Sequence, residues 1–245
     1  MLWRLIDTDL ASPAYTSAAD EAMVIARQKN IVPNTLHLYR RDRPTVSLGY
    51  SEIVEDSVNL KVAKERGVHL VRRMSGGSAI FTDQNQLIYS VILEKDMVPE
   101  SPNETFPIVC GGIVNALRIL GLEAEFKPIN DVLVNGKKIS GSAQTRKMDV
   151  VLQHGTLIVD ADFGLMFAVL RTKKKRIKTA EGMTSLAKEL GSLPPMEKVK
   201  AAIVKGFAEQ FEVEIMKGVL THFERNLIEK LIEEKYGKDD YTLQR

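Results

Sequence analysis

Two rhythms of apolar residues run along this chain, a period of two that marks strands and a period near 3.6 that marks helices. Residues 3–7 read as an edge strand. Ser12-Pro13 then opens a helix over residues 14–29, with Ala18, Met23 and Ala26 on its apolar side. Residues 35–40 and 45–49 alternate as two strands around the turn Asp42-Arg43-Pro44. A charged helix follows at residues 60–66, ended by Gly67. Residues 69–73 and 80–81 are extended and flank the loop Ser75-Gly76-Gly77-Ser78, and residues 86–93 form a further strand. Over residues 106–120, Phe106, Cys110, Ile113, Leu117 and Leu120 share one helical face, and Gly121 stops the helix.

The centre of the chain carries the sharpest local signal. Asn135-Gly136 lies between the apolar stretches 131–134 and 137–142, and two adjacent residues suited to positive φ predict a β-hairpin. Simple alternation then sets Lys138, Ser140 and Ser142 on one face, with Lys137, Ile139 and Gly141 on the other. Residues 150–159 are nearly all apolar apart from Gln153, His154 and Thr156, the pattern of a central strand buried on both faces. Two more helices are predicted at residues 197–211, with Val199, Ile203, Phe207 and Phe211, and at 221–236, opened by the capping box Thr221…Glu224. There is no internal repeat and no low-complexity tract. Strands and helices mix without a strict βαβ alternation, which predicts an α+β fold with a mixed sheet core flanked by helices. The main domain is expected over residues 1–190, with 191–245 as a helical extension packed on it.

Composition narrows the class without naming a function. Apolar residues make up 44% and charged residues 27%, as in ordinary globular proteins. A net charge of +2 gives no argument for nucleic acid or a membrane surface as partner. The single cysteine, Cys110, allows no intramolecular disulfide and favours a reducing compartment. The N-terminal residues lack the apolar run of a signal peptide, and no stretch approaches a membrane span, so a cytoplasmic location is expected.

Four segments carry candidate chemistry. Arg72-Arg73-Met74-Ser75-Gly76-Gly77-Ser78 puts two glycines and two serines after a strand, a loop whose amides can surround an anion with arginine beside it. It is neither a Walker loop nor a dinucleotide fingerprint, and a plain glycine hairpin with surface arginines fits it as well. Lys137-Lys138 on the far hairpin arm is either a solvated pair or, with serines beside Lys138, a point charge for a carboxylate or phosphate. His154-Gly155-Thr156 interrupts the apolar strand as a satisfied core histidine or as a pocket wall where a ligand nears the backbone. The run RTKKKRIK at residues 171–178 is a solvated basic loop or one that closes on a nucleotide phosphate. Cys110, on an apolar helical face with no base in sequence reach, reads as a buried structural thiol rather than a nucleophile.

Together, in order and spacing, these segments resemble the lipoate–protein ligase A family. RRMSGGSAIFTD at residues 72–83 is similar to its lipoate-binding signature. Asn130-Asp131, GKKISGSA at 136–143 and HGTL at 154–157 are similar to the second signature, and EGMTS at 181–185 to a weaker third. The resemblance covers residues 3 to 190. It implies a fold shared with biotin ligases and class II aminoacyl-tRNA synthetases. It further implies an enzyme that activates lipoate with ATP and passes the acyl group from the adenylate to a lysine. Carried over residue by residue, Lys138 would be the catalytic lysine. Arg73, Ser75, Gly76, Gly77, Ser78, His154 and Gly155 would line the lipoate and phosphate site. Asn130, Asp131, Ser140, Thr184 and Ser185 would hold the adenylate, with Asp131 at Mg²⁺. The implied acceptors are lipoyl domains or the glycine-cleavage H protein.

The chain departs from the family pattern at Ser78, where the third loop glycine stands, and at Thr82, where a histidine does. No counterpart of the accessory domain of single-chain ligases is expected within these residues, and the resemblance then implies a separate accessory-domain protein. Octanoyltransferases of the same superfamily are the alternative, since GSAQTR at 141–146 also resembles them. Those enzymes carry a cysteine shortly before the hairpin, where this chain reads Glu125-Phe126-Lys127-Pro128-Ile129. A non-catalytic acyl- or lipoyl-domain-binding module on the same fold is the non-enzyme alternative. A biotin ligase is disfavoured by the absence of a Gly-Arg-Gly-Arg-type loop.

Overall fold

The computed structural model describes residues 1–147, 149–171 and 180–245. An eight-stranded sheet forms its frame. Across it run β11 (Glu214–Lys217), β1 (Leu2–Ala11), β2 (Thr35–Arg41), β6 (Gln86–Glu94), β10 (Val150–Ile158), β9 (Lys137–Lys147), β8 (Asp131–Val134) and β7 (Ala124–Lys127). The pairs β11–β1 and β1–β2 are parallel, and the pairs from β2 onward are antiparallel. A second sheet of three strands has β3 (Thr45–Leu48) between β4 (His69–Arg72) and β5 (Ile80–Thr82). This is the mixed α+β architecture that the sequence pattern predicts.

Each face of the large sheet has its own cover. On one, α4 (Pro102–Ile119) and α7 (Met196–Phe211) pack Cys110, Ile113, Leu117, Ile203 and Phe207 against Leu36, Leu38, Tyr89, Val91 and Leu157. On the other, α1 (Pro13–Gln28) and α8 (His222–Leu231) pack against Ile6, Ile92, Val150 and Leu152. The small sheet covers the rest of that second face, backed by α2 (Val54–Ser57), α3 (Leu60–Glu65) and α5 (Phe163–Val169). Every residue of β10 is buried, as a strand with apolar cover on both faces must be.

Local chemistry sets the helix ends. Ser12 Oγ accepts from the Tyr15 amide at 3.2 Å and Pro13 occupies the first turn of α1. The Thr221–Glu224 capping box of α8 forms, and the same Glu224 carboxylate meets the buried Arg4 at 2.6 and 3.0 Å, tying the tail to β1. α4 starts at Pro102, before the periodic stretch, and tolerates Pro107 because the carbonyl that loses its partner belongs to exposed Asn103 near the helix start.

Residues 191–245 are not simply a helical extension. α7 sits in the main core with Val199, Ile203 and Phe207 fully buried, and β11 adds a parallel edge strand beside β1. With four residues each, one half-buried in β11 and two in β7, the strands are too short for a readable period, which is why both escape a pattern search. Short helices α6 (Leu186–Leu190) and α9 (Asp239–Thr242) are the remaining α-helices among the described residues.

Candidate active site

The Ser75–Ser78 loop is built around Arg73. Its guanidinium, 6% exposed, donates to the Ser47 carbonyl at 2.7 Å, to Gly76 O at 2.7 Å, to Ser78 O at 2.9 Å and to Ser75 Oγ at 3.1 Å. Loop carbonyls are thereby turned inward, and Arg73 spends its donors on the loop rather than offering them to a ligand. Burial pushes its pKa down to about 10, so it stays cationic at neutral pH. The amides of Gly76 and Gly77 donate to no described group. Two adjacent amides without a partner among the described residues are the kind of donor pair an anion-binding nest uses. Gly77 has φ +89° and Gly49 faces its carbonyl so closely that a β-carbon at residue 49 would collide with backbone.

Arg72, fully buried, fixes the neighbouring segment. It donates to Gly49 O, Tyr50 O and Glu52 O at 2.9, 3.1 and 2.8 Å and to Thr242 O at 3.1 Å, holding residues 49–52 against α9. Neither arginine of the pair lies free on the surface.

The hairpin brings the lysine to the same side of the sheet. Asn135 and Gly136 both take positive φ, 51° and 72°, as the turn requires. Simple alternation fails in the far arm, however. Val132 pairs with Ser140 and Leu133 with Lys138, so Ile139 is an extra residue and the strand bulges there. Ser140 and Ser142 therefore face α4 and Tyr89, where Ser142 Oγ lies 2.7 Å from the Tyr89 hydroxyl. Lys138 shares the opposite face with Gly141: a β-carbon at 141 would lie 2.6 Å from Lys138 Nζ and 3.3 Å from Asp131 Oδ1. The expected grouping of Lys138 with Ser140 and Ser142 is corrected by that one inserted residue. Gly141→Ala is accordingly expected to push the lysine aside, lowering turnover at least tenfold while thermal denaturation stays within a few degrees of the parent.

Lys138 Nζ and Asp131 Oδ1 are 2.6 Å apart, both side chains about a quarter exposed. The Asp131 carboxylate thus holds the ammonium in place. Among the described residues no group of three or more His, Cys, Asp or Glu is placed to hold a metal. Asp131 alone does not fit a protein-made cage, and Mg²⁺ would have to arrive on nucleotide phosphates. Asn130 is spent on the ladder: its side-chain amide donates to Ser142 O and its carbonyl accepts from Ser142 N. Residues 181–185 lie against the hairpin. Met183 bridges Lys138, the Thr184 amide donates to Lys138 O at 2.9 Å, and its hydroxyl donates to Glu189. Ser185 caps α6, its Oγ accepting from Lys188 N at 3.3 Å. Residues 172–179, and with them nearly all of the basic run, lie outside the described residues.

On β10 the register places Ser90, His154 and Ala143 in one row across the sheet, and Tyr89, Gly155 and Ser142 in the next. His154 points to the loop, its Nε2 2.6 Å from Ser75 Oγ. Gly155 faces the other way. The space beside its backbone is filled by the Tyr89 hydroxyl and ring, so its lack of a side chain serves packing under the sheet and not ligand approach. Gly77 closes the arrangement, approaching Ala143 so that a β-carbon would touch at 3.5 Å. The loop, His154, Gly141, Lys138 and Asp131 therefore share one face. Ser140 and Gly155 do not.

Residues 12–208 match the family described as the lipoyl protein ligase A/B catalytic domain. The chain belongs to that family. An octanoyltransferase, LipM, from Brevibacillus brevis is 34% identical over 99% of each chain. Among solved structures, a bi-partite lipoate protein ligase from Thermoplasma acidophilum, studied with its E2 lipoyl domain, is 26% identical over 99% of this chain and 96% of that one, with a TM-score of 0.88. A lipoate-protein ligase A bound with ATP is 27% identical over 99% of each chain, with the same TM-score of 0.88. The family resemblance read from the motifs is borne out, and so is the mixed-sheet fold. This family member is an enzyme of the lipoate ligase and octanoyltransferase group. The curated relative carries the activity that the motifs ranked second.

Two residues of the site escaped the motif reading. Asp20 lies behind His154 and is hydrogen-bonded to it, and His37 is hydrogen-bonded in turn to Asp20. A signal existed: Asp20 falls among Ala18, Ala19, Ala22 and Met23, on the face of α1 that packs on the sheet. A carboxylate on an apolar face requires buried partners.

Proposed function

We propose that the chain activates a medium-length acyl acid, lipoate or octanoate, with ATP and transfers the acyl group to a lysine of an acceptor protein. The carboxylate attacks the α-phosphorus, pyrophosphate leaves, and the acceptor amine then attacks the acyl-adenylate carbonyl with loss of AMP. The observation that supports this over thiol-mediated transfer is the position of the single cysteine. Cys110 is fully buried under the sheet, on the face opposite Lys138 and the loop, and burial pushes its thiol up to about 11. The segment before the hairpin, 125–129, offers no thiol.

The residues present fit an anionic adenylate. The Gly76 and Gly77 amides, which donate to no described group, offer donors, and Lys138 offers a cation held by Asp131 at the charge that develops between carboxylate and phosphate. Asn130, Thr184 and Ser185 flank Lys138 and supply the framework for the nucleotide. Mg²⁺ would be carried on the phosphates, with Asp131 as the nearest carboxylate. Lipoyl domains or the H protein are the acceptors in this reading. A separate accessory protein would raise the rate of transfer without being needed for activation, and the bi-partite build of the Thermoplasma acidophilum lipoate protein ligase is the precedent. The octanoyltransferase reading has its own support in the relative at 34% identity.

One experiment separates the two. The purified chain is given octanoate, ATP and Mg²⁺, or octanoyl carrier protein without ATP, with an apo lipoyl domain in each. ATP-dependent pyrophosphate release and acylation by free octanoate are expected, unchanged in Cys110→Ala. Transfer from the carrier protein alone, abolished in Cys110→Ala, would overturn the proposal.

A further inference from the structure

Asp20 is saturated with donors, and the network it organises ends on the loop. Its Oδ1 lies 2.9 Å from His37 Nδ1. Its Oδ2 lies 3.2 Å from His154 Nδ1, 2.8 Å from Ser90 Oγ and 3.3 Å from the Tyr39 hydroxyl. His37 Nε2 lies 2.9 Å from Thr8 Oγ1. Burial alone would raise the Asp20 pKa, but hydrogen bonds and charge from His154 and His37 outweigh it and hold the carboxyl well below its usual range. An ionised Asp20 therefore requires a proton on Nδ1 of both imidazoles. His154 Nε2 is left to face Ser75.

A count of protons at Ser75 Oγ then distinguishes two states. A hydroxyl has one donor and two acceptor positions. Arg73 Nε fills one acceptor position at 3.1 Å. With neutral His154, Nε2 accepts, and the hydroxyl hydrogen is spent on it at 2.6 Å. With His154 as imidazolium, Nε2–H fills the second acceptor position and the hydroxyl hydrogen is released. Inside the loop its alternative is Gly76 O at 3.5 Å, too long to satisfy it. A ligand oxygen beside the Gly76 and Gly77 amides would.

We propose that binding of an acyl carboxylate at the Ser75–Ser78 loop takes up one proton at His154, with Asp20 as the positioning residue that makes that proton available. This rests on the acyl-acid reading above. The groups around His154 set the balance. Asp20 from α1 favours the cation, as does the incoming carboxylate. Arg41 of β2 and Arg73 of the loop oppose it, and neither has a carboxylate within ion-pair distance among the described residues. His37 and Tyr39 of β2 lie at hydrogen-bond distance from Asp20, Ser90 of β6 is uncharged, and burial raises the pKa of Tyr39 and of Tyr236, behind Asp20. Glu21 is turned to Lys235 and Tyr236.

The test is calorimetric titration of octanoate into the full chain between pH 6 and 9, in HEPES and in Tris, whose ionisation heats differ. Affinity is expected to fall as pH rises across this range, by up to about tenfold per pH unit, with close to one proton taken up per octanoate where the fall is steepest. In His154→Gln the side-chain amide donates at any pH, so proton uptake should vanish and the pH dependence flatten. Asp20→Asn should also lose the uptake, with thermal denaturation recorded beside it. The parent protein binding octanoate equally at all pH values, with no buffer-dependent heat, would overturn the inference and leave the acyl-acid reading standing. Failure of octanoate to bind at any pH would sink both.

Discussion

Replacing Lys138 by alanine should lower adenylate formation by about 10²–10³-fold, the effect of removing one preorganised charge from a developing anion. The fold should survive, because the ammonium is partly solvated and its removal leaves Asp131 in reach of water. Denaturation midpoints should move by no more than a few degrees. Lys138→Arg is not a rescue, since the planar guanidinium cannot occupy the narrow space over Gly141 that a compact ammonium fills. The readouts are ATP–pyrophosphate exchange with octanoate and a thermal melt on the same sample. A variant with parental exchange would remove Lys138 from the chemistry, and with it the strongest inference drawn from the hairpin motif.

The second large effect concerns stability. Arg72→Ala should cost about 3 kcal/mol or more, because it strips donors from carbonyls of Gly49, Tyr50, Glu52 and Thr242 in a buried setting. For a chain of this size that corresponds to a fall in Tm of roughly 6–12 °C. Arg72→Lys should recover little of it, since one ammonium cannot reach four acceptors spread around a planar fork. Loss of Arg72 should also weaken substrate binding, because residues 49–50 brace the loop through the Tyr50 amide on Ser75 O at 2.8 Å and the close approach of Gly49 to Gly77. A melting point within two degrees of the parent would show that α9 and the 49–52 segment are held by other contacts.

The curated relative and the local chemistry pull in different directions, and the physical difference between them is small. Both activities need a site for an acyl chain and an acceptor lysine. What separates them is the leaving group, AMP in one case and a thiol in the other. The only thiol here lies beneath the sheet beside Ser142 and Gln153, at 3.5 and 3.6 Å, with α4 above it. Whichever acyl donor is used, the Ser75–Ser78 loop and the Lys138–Asp131 pair lie on one face of the sheet and Cys110 on the other.

The sequence by itself determined the mixed α+β architecture, the Asn135-Gly136 hairpin, the doubly buried β10 and the membership of the loop and lysine motifs in one family. These follow from period, turn chemistry and motif order, all of which are local in the chain. Only the tertiary structure decided which side chains meet. One inserted residue at Ile139 moved Lys138 off the face of Ser140 and Ser142, because strand alternation has a period of two and a bulge inverts it. Arg73 looked like a ligand arginine and proved to be the core of its own loop, because carbonyls brought together by β3 and the loop outcompete solvent for a buried guanidinium. Asp20 and His37 had no motif to announce them. Their role comes from α1 and β2 being laid beside β10, a long-range contact between residues 134 apart in the chain at its widest, which no local pattern encodes.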